Sequence, residues 1–163
     1  MTTIFWNTGN DGIWTTAANW NTGTTPGATD DAVPGITGAY AIQNYTVTLS
    51  TPVSVNSITI SDYGADLAIV GPGAASVAAD VNDSGQIILG NGGSLQVSGV
   101  VNVGYDAGST GALSISNGGS FTSQAALTIG DQGGAQGTGD VSGAGSTLTV
   151  EGVLTMGEHG TGR

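Results

Sequence analysis

The sequence holds twelve acidic side chains, one histidine and no cysteine, and these bound its chemistry. His159 is the one side chain whose ordinary pKa suits a general base near neutrality. Its neighbour is Glu158. Adjacent residues on a strand point to opposite faces, which places this pair badly for proton transfer. No G-x-S-x-G turn supports a nucleophilic serine. Asp30/Asp31, Asp62/Asp66 and Asp80/Asp83 are carboxyl pairs. Such pairs cut glycosidic bonds when held roughly 5–9.5 Å apart across a groove. An acidic polysaccharide would also need basic side chains, and Arg163 is the only Lys or Arg in the chain. The reading is therefore that the chain is not an enzyme.

Two acid patterns suggest calcium, the one cofactor the sequence raises. In DVNDSG (80–85), Asp80, Asn82 and Ser84 occupy positions 1, 3 and 5 of half an EF-hand loop, with Gly85 at position 6. Asn91 replaces the bidentate Glu of position 12 and no helices flank the loop, so any site would be weak. The second pattern is an acid following each of three spaced glycines: Asp106, Asp131 and Glu158. Stacked coils would bring these into a column, where a divalent ion would relieve their repulsion. Solvated turns explain the same acids without an ion. Trp6, Trp14 and Trp20 are the candidate ligand-binding aromatics, as a platform for sugar rings. Closure of an apolar end explains the same residues, since aromatics cover much area each.

The element that must position these residues is a repeat. NGGSLQVSGVVNVGYDAGSTGALSIS is followed by NGGSFTSQAALTIGDQGGAQGTGDVS and then by GAGSTLTVEGVLTMG. Asn91, Asn117 and Gly143 recur at one spacing, and Gly104, Gly130 and Gly157 at nearly the same one. Inside each copy apolar residues alternate with small or polar ones, the signature of strands with one buried face. Short strands, turns and a constant period of about 26 residues predict a parallel β-helix, or β-solenoid, each coil adding about 4.8 Å. Val101, Leu127 and Leu154 should stack, as should Val103, Ile129 and Met156. Asn91 and Asn117 are expected to form an internal amide ladder. Register in the third copy is unsafe, with Thr147 as an added residue. Upstream, residues 45–49, 53–55, 58–60, 66–70 and 86–89 read as strands; AASVAAD (74–80) comes nearest to a helix. Residues 1–38 read as an aromatic-rich N-terminal cap and 39–163 as the coils of one continuous all-β domain.

Composition excludes further classes. A formal charge of −11 repels nucleic acid and anionic lipid. No apolar run approaches the ~20 residues of a membrane span. The chain stops inside a repeat, at GEHGTGR, and is expected to continue beyond it. An open coil would also offer strand edges to another copy, giving head-to-tail stacking.

The NGGS and SGAGSTLTVEGVLTMG segments, with W-N-x-G-x-D-G-x-W-x-x-A-x-N-W at 6–20 and PGATDDAV at 26–33, resemble bacterial autotransporter-type passenger proteins and the PEP-CTERM-associated repeats. The resemblance implies a right-handed β-helix exported to the surface of a Gram-negative bacterium, with a structural or adhesive role that includes filaments or biofilm matrix. No membrane-spanning barrel is present in this sequence, and the family transfers no catalytic residue. Carbohydrate binding through the three tryptophans, with surface glycans as partners, is the alternative function. A glycan-active β-helix enzyme ranks last.

Overall fold

The computed structural model describes residues 1–35 and 44–163. The expected boundary between residues 38 and 39 lies outside these. The chain winds in successive coils, each placing short strands on up to three faces. The opening coil has β1 (Thr3–Phe5) and β2 (Gly12–Ile13), then a single 3₁₀ turn at Ala17–Asn19. The next has β3 (Asp31–Val33), β4 (Tyr45–Leu49) and β5 (Val53–Val55). Then come β6 (Ser57–Ile60), β7 (Ala65–Val70) and β8 (Ala74–Val77). The fourth has β9 (Val81–Asp83), β10 (Gln86–Gly90) and β11 (Ser94–Val97). The fifth has β12 (Val101–Val103), β13 (Ala112–Ile115) and β14 (Ser120–Ser123). The sixth has β15 (Leu127–Ile129), β16 (Gln136–Val141) and β17 (Thr147–Val150), and β18 (Leu154–Met156) and β19 (Thr161–Gly162) open a seventh.

Equivalent strands pair in parallel. The first sheet runs β1-β3-β6-β9-β12-β15-β18, the second β2-β4-β7-β10-β13-β16-β19, the third β5-β8-β11-β14-β17. The fold is thus an all-β solenoid of three parallel sheets. AASVAAD supplies β8, a strand.

The period-two alternation sends one residue set inward. Val101 pairs with Leu127 and Leu127 with Leu154; Val103 pairs with Ile129 and Ile129 with Met156, the two expected columns. Other columns are Leu67–Ile87–Leu113 on the second sheet and Leu95–Phe121–Leu148 on the third. Burying each such side chain contributes about 1.5–3 kcal/mol relative to exposure. In the third copy the added residue is taken up before β17, where Ser120 pairs with Thr147.

Coil length is not constant. Val81 to Val101 is 20 residues, Val101 to Leu127 is 26 and Leu127 to Leu154 is 27. Register places the first change at one corner. The turn from Asp83 to Gln86 is tight, whereas residues 104–111 form a longer loop between β12 and β13. The next corner keeps the longer form, and the last, between Met156 and Thr161, is two residues shorter than its counterpart between Ile129 and Gln136. These corners begin at Gly104, Gly130 and Gly157, with φ of 77°, 79° and 71°, a conformation only glycine takes without strain.

The amide ladder is not where the repeat suggested. Asn91 and Asn117 are exposed and sit at a corner with φ of 52° and 49°. Asparagine tolerates this left-handed conformation better than most residues. The side-chain amide pair lies instead in the first sheet, where Asn102 Nδ2 donates to Asn82 Oδ1 at 2.9 Å.

Candidate functional site

Each candidate must first be tested against the fold's own hydrogen bonds. Trp6, Trp14 and Trp20 are 0–1 % exposed. They form an edge-to-face cluster, with ring centroids 5.0 Å apart for Trp6–Trp20 and 4.8 Å for Trp14–Trp20. Trp20 Nε1 donates to the Trp14 carbonyl at 2.7 Å, and Trp6 Nε1 to the Asn10 carbonyl at 3.3 Å. Trp14 Nε1 has no acceptor among the described residues. A sugar platform needs open ring faces, and these rings have none. Trp6 and Trp14 directly follow β1 and β2, the first strands of the first and second sheets, and Trp20 bridges to Trp6.

The half EF-hand does not assemble. Residues 81–83 are strand β9, in which alternate side chains project in parallel rather than converging as ligands must. Each of the three side chains is also engaged. Asp80 Oδ1 accepts from the Val100 amide at 2.8 Å, and Asn82 Oδ1 from Asn102. Ser84 is buried and donates to Asp106 Oδ2 at 2.8 Å.

The carboxyl pairs are likewise committed to structure. Asp31 Oδ1 accepts from Asn56 and Ser57, both at 2.7 Å, and these bonds hold its pKa below the ordinary value. Asp30 accepts from the Gly27 amide, and Asp62 from Tyr45 and the Gly64 amide. Burial, with a smaller contribution from Asp11, raises the Asp66 carboxyl. Asp83 stands in an inward column between Ile60 and Val103 and is fully buried. Burial pushes its carboxyl up to about 8, although Gly85 and Ala112 amides donate to it.

The acid column is corrected in part. Since Val103, Ile129 and Met156 are in register, Tyr105, Asp131 and Glu158 are equivalent positions. Asp106 lies one residue further along, equivalent to Gln132. The matching turns Ser109 N–Asp106 O and Ala135 N–Gln132 O bear this out. Asp106 therefore holds Ser84 of the coil below, while Asp131 and Glu158 meet in the two last corners.

His159 joins them. One ligand atom from each of Asp131, Glu158 and His159 lies within 4.8 Å of the other two. The strand argument set His159 aside, but residues 157–160 form a bend, where side-chain alternation does not hold. Asp131 is half-buried; Glu158 and His159 are exposed. Two carboxylates and an imidazole can bind a cation.

The apolar columns supply another surface. Val141, Leu148, Val153, Leu154 and Met156 are exposed on the final strands and the turns between them. Leu148, Leu154 and Met156 continue inward columns and are exposed among the described residues. No family model matches the chain, and neither a curated protein nor a solved structure proved similar to it.

Proposed function

We propose that this chain is a non-enzymatic structural module, a right-handed β-solenoid with an aromatic N-terminal cap that joins a second copy through its C-terminal end. Right-handed winding is the sense that parallel crossovers overwhelmingly take. The single observation that carries the reading is the uncovered apolar set of Leu148, Leu154 and Met156 in core register. Such positions gain from another apolar layer, and the free edges of β17 and β18 gain from another strand. Head-to-tail stacking would need a matching apolar face at the other end, and the tryptophans there are buried. End-to-end pairing of two C-terminal coils across a two-fold axis suits the geometry better.

Asp140, Glu151 and Glu158 are exposed in this region, so like charges oppose association and salt should favour it. Export to a Gram-negative surface, in a structural or adhesive role, remains part of this proposal; its support is the W-N-x-G-x-D-G-x-W and NGGS motifs. Light scattering across protein and salt concentration tests the assembly. The expected result is a dimer that strengthens with salt and is lost in Leu154→Asp. A wild type that stays monomeric at its highest soluble concentration would overturn it.

A further inference from the structure

We propose that Asp131, Glu158 and His159 form a zinc-type metal site that clips the last coil to the one beneath it. Asp131 follows β15, whereas Glu158 and His159 follow β18. The ligands therefore come from two successive coils, and an ion held by all three ties those coils together. The corner loop positions them. Gly130 and Gly157 both follow paired strand ends with positive φ, which places Asp131 and Glu158 at matching positions, and the shorter second turn brings His159 beside them.

The histidine sets the class of ion. His159 Nδ1 lies 3.0 Å from the Asp131 carbonyl oxygen. A carbonyl only accepts, so Nδ1 is the donor in this contact and Nε2 is the ring nitrogen left for a metal ion. A ring nitrogen donating to a backbone carbonyl is the usual partner arrangement of metal-binding histidines. Two carboxylate oxygens and one imidazole nitrogen, with water as a fourth ligand, suit zinc and its neighbours in the transition series. Calcium prefers six to eight oxygens, and magnesium a strict octahedron of them. The formal charge of −11, with Arg163 as the only basic residue, draws a cation in. The ion also relieves the repulsion between the stacked acids.

Binding to the folded state alone stabilises it, so the site has a readout in melting as well as in titration. Untagged protein should be titrated with zinc, calcium and magnesium while thermal melting and amide exchange are followed. At ten times its Kd, zinc should raise Tm by roughly 3–6 °C. Exchange should slow in residues 154–162 and stay unchanged in 3–5. Calcium and magnesium at the same concentration should do neither. His159→Gln, an exposed change that leaves the core intact, should weaken zinc at least about tenfold. Asp131→Asn should do likewise. Equal effects of calcium and zinc, unchanged zinc affinity in His159→Gln, or no zinc binding would each overturn the site.

Discussion

The first and the last described coils of this solenoid flank the same columns of inward side chains and treat them differently. At the N-terminal end Trp6, Trp14 and Trp20 fold over the start of two sheets and are buried. At the C-terminal end Leu154 is 49 % and Met156 52 % exposed, although both occupy core register. A column is therefore not a core by virtue of its residues. It becomes one only when something lies on top; the indoles are buried, whereas Leu154 and Met156 are not.

The largest test of that contrast is Trp14→Ala. It removes one ring, packed edge-to-face on Trp20, from a buried cluster and should cost about 3–5 kcal/mol in urea unfolding. A loss under about 1 kcal/mol would mean that the cluster does not hold the end closed.

The next test compares two residues of one column. Leu127→Ala, buried between coils, should cost about 2–5 kcal/mol. Leu154→Ala, one coil further, should cost under about 1 kcal/mol in monomeric protein. Equal costs would show that the last coil is covered in solution.

Asp83 sharpens the comparison from the middle of the stack, where both neighbouring coils are present. Its carboxyl rises from 3.8 to about 8 on folding, so the folded chain holds a proton that the unfolded chain releases. Stability should fall as pH rises from about 4 to about 8, and this contribution should be flat outside that window. One proton limits the slope to about 1.4 kcal/mol per pH unit. Asp83→Asn should flatten it in denaturation midpoints taken across pH. An unchanged slope would assign it to other carboxyls.

The smallest expected effect is at a corner. Asn117→Gly should change stability by no more than about 0.5 kcal/mol, because glycine accepts φ of 49° without strain. Asn117→Val should cost about 1–2 kcal/mol by the same measurement. If the two variants melt together, the corner relaxes its left-handed turn.

Much of the fold was legible, because alternation marks strands and a fixed period marks stacking. Val101, Leu127 and Leu154 could be aligned by counting alone. The earlier coils resisted counting because their corners differ in length, and length at a corner leaves no trace in the alternation. The site was harder to read for the same reason. Asp106 follows its glycine by two residues and Asp131 by one, a shift that sends them to different neighbours. His159 was judged as a strand residue although it lies in a bend. Burial of the tryptophans depends on their packing together, which spacing does not reveal.

The longer corner that begins at Gly104 has a broader consequence. Between the fourth and fifth coils the chain gains six residues there, while every sheet keeps its register. Loop length costs little, about 0.6 kcal/mol per doubling. The corner thus works as a socket. Its outward residues can be exchanged or extended without retuning the scaffold, and stacked sockets would display them about 4.8 Å apart along one edge.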